Sequence, residues 1–267
     1  MEKSIKIFVF LLIAAILVHS CSTVPLTGRR QLSLIPESEM ISMSLTSYSD
    51  FLKENNVSAD RSNSTLVQEV GQNISAAVVK YFSDNNMSAS LNGYQWEFNL
   101  VDDATPNAWC MPGGKVVVYT GILPYTQDKD GLAVVVSHEI AHAVARHGSE
   151  RMSQQMLVQL GGVALGEAMK NKPEQTQTIF GSVYGLGTQY GIMLPYSRDH
   201  ELEADKLGLV FMAMAGYDPQ AAVAFWERMA AMGGEKPPEF MSTHPADATR
   251  IQKIKEAMPE ALKYYKK

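Results

Sequence analysis

Residues 138–142 read His-Glu-Ile-Ala-His, inside a run of Ala, Val and Ile with the composition of a buried central helix. Two histidines four residues apart share one helix face, about one turn from each other. Both imidazoles can then reach one metal ion, and Glu139 lies beside the open coordination position. A zinc hydrolase needs that layout, because the metal acidifies a water and the carboxylate takes its proton. A five-residue pattern with two free positions also arises by chance, so the surroundings must decide. Asp130 is placed to cap the start of this helix and Gly148 to end it. Read as plain core residues, His138 and His142 beside an acid would be costly to bury without a metal to pair with.

A catalytic zinc usually has three protein ligands. One known arrangement places a Gly seven and a His ten residues after the first histidine. Here those positions hold Ala145 and Gly148, so that arrangement fails. His147 falls one residue early and reads as a partner of the helix C-terminal dipole, pointing off the metal face. The remaining route is a carboxylate on a later helix. In Ser197–Leu209, Glu201 and Asp205 are four apart and share a face. Glu201 is the candidate third ligand, and Asp205 a candidate acceptor for the free N–H of a ligand histidine. Glu203 points elsewhere on that helix and is expected in solvent. Taken alone, the segment equally fits an ordinary charged surface helix.

Five blocks together carry a resemblance: Val24–Leu32 (VPLTGRRQL), Asn107–Gly114 (NAWCMPGG), the His138 motif, Ser197–Leu209, and Thr243–Ile251 (THPADATRI). With them the chain resembles the zinc metallopeptidase family that includes HtpX and the CAAX prenyl protease, in its periplasmic lipoprotein branch. The resemblance implies a gluzincin-type peptidase domain with one Zn²⁺ per chain. It implies His138, His142 and Glu201 as ligands, Glu139 as the base and Asp205 as the supporting aspartate. It also implies a zinc-dependent endopeptidase of the bacterial cell envelope that degrades misfolded or unassembled envelope proteins. A holdase or assembly factor for outer-membrane proteins, using the same cleft without cutting, is the alternative. A zinc hydrolase acting on a non-peptide bond is a further one.

The first twenty residues read as a targeting segment. Lys3 and Lys6 precede a 12-residue apolar run, Ile7–Val18, shorter than the roughly 20 residues of a membrane span. Val18-His-Ser-Cys21 then resembles a lipoprotein signal-peptidase site, which makes Cys21 the lipidated first residue of a mature chain. An uncleaved signal anchor is the other reading. Either places the globular part outside the cytoplasm and beside a membrane, the outer membrane in the lipoprotein case. Cys110 is the only other cysteine, so no internal disulfide is expected. Net charge is −5, with Lys and Arg dispersed, which argues against a nucleic-acid partner. The expected division is a signal peptide at 1–20, a lipidated linker at 21–36 and a peptidase domain at 37–267.

Periodicity predicts an α+β, mostly helical fold with a small antiparallel sheet. Helices are expected at 37–55, 63–83, 198–215, 219–232 and 246–257, and strands at 94–101 and 115–119. Asn107–Cys110 can form an edge strand facing the active-site cleft. Such edges accept extended peptides by strand addition, which makes Asn107, Ala108 and Trp109 candidate substrate-binding residues. A plain hairpin without a ligand fits the pattern equally, and the resemblance favours the substrate strand. Residues 161–196 are rich in Gly, Gln, Ala and Met with few charges. They fit a flap over the cleft, a membrane-facing hairpin, or a helical hairpin packed on itself. His244 follows a stretch with Gly233-Gly234 and Pro237-Pro238. It is a candidate oxyanion donor. In the resembled lipoproteins the matching histidine occupies the open zinc position and keeps the enzyme latent. As a third reading, it is a surface-loop histidine. Arg250 is expected either to anchor that loop or to bind substrate.

Overall fold

A computed structural model describes residues 21–24, 27–189, 193–231, 240, 243–245 and 247–266. The expected signal peptide and the Gly233-Gly234/Pro237-Pro238 stretch lie outside them. In chain order the elements are β1 (Cys21–Thr23), β2 (Arg30–Leu32), α1 (Glu37–Glu54), α2 (Arg61–Asp84), β3 (Glu97–Val101), β4 (Ala108–Met111) and β5 (Lys115–Tyr119). A helical turn at Leu123–Thr126 leads into α3 (Lys129–Val144), α4 (His147–Met169), α5 (Glu174–Thr188), α6 (Leu194–Met214), α7 (Ala221–Ala231) and α8 (Ala248–Ala261).

β5 is the central strand of a three-stranded sheet with β3 and β4 at its sides. The β4–β5 pair is antiparallel, as expected, but β3 runs parallel to β5. The sheet is therefore mixed rather than antiparallel, because β5 inserts between two strands that precede it. Lys115-Val-Val-Val-Tyr is apolar on both faces for that reason. Val116 and Val118 face the main core, while Val117 packs with Tyr48 of α1.

The main core lies between α2, α3, α6, α7 and the sheet. α2 supplies a stripe at helical spacing, Val67, Val70, Ile74, Val78 and Phe82, all fully buried. Asp60 starts that helix by accepting a hydrogen bond from the Asn63 backbone N–H at 3.0 Å. α3 is apolar all round and buried along nearly its whole length, as a central helix must be. Its cap is Asp128, which accepts from the Gly131 N–H at 2.8 Å. Asp130, the expected cap, instead accepts from the Asp218 N–H.

α3 also ends earlier than Gly148 suggests. Arg146 takes the left-handed conformation (φ 60°, ψ 32°) that glycine usually supplies, and Gly148 lies inside α4. The turn at Arg146 redirects the chain and leaves the His147 ring against His142 of α3. Among the described residues of the 21–36 segment, expected as a linker, Val24 is in the core and the Leu34 N–H donates to Ser153 Oγ at 3.0 Å.

Over its described residues the 161–196 region is a helical hairpin, α4 against α5. Tyr184 donates its hydroxyl to the Val158 carbonyl at 2.7 Å. A Cβ at Gly161 would stand 2.1 Å from that hydroxyl oxygen, so the contact depends on glycine. Leu160, Val163, Ile179, Val183 and Leu186 remain exposed on the hairpin. Among the described residues no helix is long and apolar enough to cross a membrane.

Candidate metal centre

His138, Glu139 and His142 lie toward the C-terminal end of α3, and Glu201 and Asp205 lie on α6. The two helices touch closely at Gly208. A Cβ there would sit 3.1 Å from the His138 backbone nitrogen and 3.2 Å from Ser137 Oγ. A larger residue would push α6 away and carry Glu201 and Asp205 with it.

At this spacing the expected ligands converge. His138 Nε2 and His142 Nε2 are 3.0 Å apart. The Glu201 carboxylate reaches within 3.3 Å of the first and 3.2 Å of the second. His244 closes a fourth corner, with Nδ1 at 3.2 Å from His138 Nε2 and 2.9 Å from Glu201 Oε2. Zinc with bonds of about 2.0–2.1 Å in tetrahedral geometry spaces its donors roughly 3.3 Å apart. Glu201 Oε1 is buried without a hydrogen-bond partner among the described residues. Buried acceptors are normally satisfied. Three imidazoles and a carboxylate are a set that zinc accepts. His138, His142, Glu201 and His244 thus form a cluster that can hold a metal ion.

The surroundings orient these donors. His138 Nδ1 lies 3.0 Å from Asp205 Oδ1, which turns Nε2 toward the cluster. Asp205 also receives both arms of Arg250, Nε and Nη2, each at 2.7 Å. Arg250 Nη1 lies 3.1 Å from Glu201 Oε2 and donates to the Pro245 carbonyl at 3.2 Å. Its guanidinium rests 3.5 Å from the centre of the Trp226 ring. Arg250 is only 3% exposed, and its donors are turned to protein groups. This placement fits the expected role of anchoring the segment around Pro245, and Arg250 also borders a cavity with Ser197, Glu201 and Thr243.

Charge balance follows the geometry. Burial alone would raise the carboxyl pKa of Glu201, but His142, His138 and His244 hold it below the ordinary range. Burial would likewise raise Asp205, and Arg250 and His138 overcome it. For Glu139 burial wins, so its carboxyl pKa is raised. Burial lowers the affinity of His138 for a proton, yet Asp205 and Glu201 lift its pKa to about 9. Proton and metal compete for that same Nε2, so the carboxylates that raise its basicity also strengthen it as a ligand.

β4 is the outer strand of the sheet and packs against α3. Burial pushes the Cys110 thiol pKa well up, and the Glu139 carboxylate adds to the shift. Ala108 is buried, and Trp109 packs edge-on against Phe51 and Tyr48. Asn107 caps its own strand, with Oδ1 accepting from the Ala108 N–H at 2.9 Å. Asn107 and Trp109 remain half-buried.

Two expectations are corrected here. His147 is buried, with Nδ1 at 2.8 Å from His142 Nδ1. Glu203 is buried rather than solvated, 3.0 Å from His147 Nε2 and 2.9 Å from Arg29 Nε. Both faces of α6 near the site are covered, one by α3 and the other by α4 and the β1–β2 hairpin. Helical spacing identifies residues that share a face, but not that a second face is also buried. The only sequence signal was Arg29 within the Val24–Leu32 block.

Residues 69–258 match the family model described as Peptidase family M48. The mitochondrial metalloendopeptidase OMA1 of Schizosaccharomyces pombe is 42% identical over 175 residues, covering 65% of this chain and 50% of that protein. Its human counterpart is 29% identical over 247 residues, covering 90% of this chain and 46% of the relative. The β-barrel assembly-enhancing protease of Escherichia coli is 30% identical over 165 residues, 58% of this chain and 33% of that protein. The chain spans about half the length of the mitochondrial relatives it matches. The matched span runs from α2 to α8 and takes in every residue of the metal cluster, together with Glu139, Asp205 and Arg250. On that match the chain belongs to peptidase family M48.

Proposed function

We propose that this protein is a zinc-dependent endopeptidase of the bacterial cell envelope, holding one zinc per chain. The observation that carries the reading is a buried carboxylate, Glu139, with Oε1 unbonded among the described residues and 3.5 Å from His244 Nε2 of the donor cluster. Zinc bound there would supply Lewis acidity to a scissile carbonyl and lower the pKa of water toward ~7. Glu139 takes the proton of the attacking water and passes it to the leaving amine, a role suited to a carboxyl whose pKa is raised by burial. His138, His142 and Glu201 fix the reaction centre. Asp205 and Arg250 fix His138 and Glu201 in turn. The outer edge of β4 holds the peptide in extended form by strand addition.

The position of His244 supports the latent reading over the oxyanion one. Its Nδ1 stands where a fourth ligand would, and four protein ligands describe a closed site rather than a catalytic one. Activity then requires this histidine to move, a gating step of a familiar kind. His244→Ala should raise basal turnover of a quenched peptide while zinc stays bound. If His244 is an oxyanion donor, the same change lowers turnover ~10²-fold or more. An unchanged rate removes His244 from the site.

The envelope location rests on the sequence around Cys21. Labelling with radioactive palmitate should mark the wild-type chain and leave Cys21→Ala unmarked. Label on Cys21→Ala would exclude the lipoprotein and favour a signal anchor. Misfolded or unassembled envelope proteins are the proposed substrates. The name of the E. coli relative joins proteolysis with β-barrel assembly. It supports, as second reading, an assembly factor that works on outer-membrane proteins and their assembly machinery through the same cleft.

A further inference from the structure

We propose that Glu203, held by Arg29 and Thr27 of the N-terminal segment, positions the metal ligand His142 through His147. This rests on the reading that His142 binds the metal through Nε2.

The direction of the hydrogen bonds follows from proton counting. His142 Nε2 faces the cluster, 3.0 Å from His138 Nε2 and 3.2 Å from Glu201 Oε1. A ligating nitrogen needs its lone pair, so the single proton of neutral His142 sits on Nδ1. That N–H faces His147 Nδ1 at 2.8 Å. His147 Nδ1 must then be the acceptor, and its own proton sits on Nε2. His147 Nε2 donates to Glu203 Oε2 at 3.0 Å. One line runs from His142 to His147 to the Glu203 carboxylate, with each tautomer fixed by the next group.

The line ends on a segment outside both metal helices and outside the M48 match. Thr27 Oγ1 donates to Glu203 Oε1. Arg29 Nε donates to Glu203 Oε2 at 2.9 Å. The fork of the same guanidinium reaches Glu150, Nη1 at 3.1 Å and Nη2 at 2.7 Å. Glu150 also pairs with His200 Nε2 at 2.9 Å, and the His200 ring stacks on His147 at 4.3 Å with only 9° between the planes. His147 is therefore clamped from the side as well as along its hydrogen bonds. His138 has its carboxylate, Asp205, in direct contact, whereas His142 reaches one through an intervening imidazole. A lysine at position 29 could not span two carboxylates with one planar fork.

The test is zinc affinity by chelator competition, with the thermal midpoint of the metal-free protein as a control for folding. His147→Phe keeps a ring but offers no acceptor, and should weaken zinc by the ~10–100-fold typical of losing an outer partner. His147→Asn places an amide oxygen near the former Nδ1 and should restore most of that affinity. Arg29→Ala, at the far end, should weaken zinc in the same direction even if His147→Phe fails to fold. Wild-type zinc affinity in folded His147→Phe or in Arg29→Ala overturns the proposal. So does Asn as weak as Phe, since ring packing would then explain both. A wild-type chain that binds no zinc overturns the metal reading itself, and this proposal with it.

Discussion

Glu139→Gln should keep its fold and its zinc and lose peptidase activity by at least the ~10²-fold typical of removing a general base. Glutamine has the shape of glutamate and still hydrogen-bonds, but it accepts no proton at neutral pH. The site around it favours a clean result. Glu139 is buried and its Oε1 makes no hydrogen bond among the described residues, so the substitution breaks little. It also removes a buried acid, so stability should change little or rise. The assay belongs in a His244→Ala background, where the fourth corner is open in both proteins. Digestion of an unfolded test protein at an unchanged rate would show that the base lies elsewhere.

Loss of a ligand should have the larger effect on the metal. His138→Ala, His142→Ala and Glu201→Ala should each release most of the zinc, because three ligands are the usual minimum for a catalytic site. Glu201→Ala should cost stability as well. It leaves Arg250, 3% exposed and 3.1 Å from Glu201 Oε2, with one carboxylate partner instead of two. Leaving a buried charge less compensated is expensive. Glu203→Ala should be milder, since that carboxylate acts on His142 at one remove. Elemental analysis of the purified variants checks the order. Full zinc in Glu201→Ala with none in Glu203→Ala would show that the wrong carboxylate of the pair had been assigned.

What could be read from sequence was what one helix dictates by itself. The i,i+4 spacing of His138 and His142 and of Glu201 and Asp205 put each pair on one face. The folded chain brings the two pairs within hydrogen-bond distance. The β-branched run at 115–119 gave β5, and its apolarity on both faces fits a central strand. The direction of β3 was not legible, because alternation in a strand says nothing about its neighbour. Nor was the end of α3. Gly148 was the obvious terminator, but Arg146 takes the left-handed turn and is tied down by Glu37 at 3.4 Å. That single turn decides the fate of His147. In a continuing helix it would point away from the metal; after the turn it faces His142. Glu203 and Arg29 were missed for a related reason, since their contact joins residues 174 positions apart.

Peptidase activity should depend on an ion held by His138, His142 and Glu201. The most direct test is cleavage of an unfolded protein by the purified His244→Ala chain before chelation, after chelation, and after return of one equivalent of zinc. Cleavage that stops on chelation and returns with zinc is the expected result, with the Glu139→Gln version inactive throughout. Cleavage untouched by chelation, or none from a fully zinc-loaded chain, would contradict it.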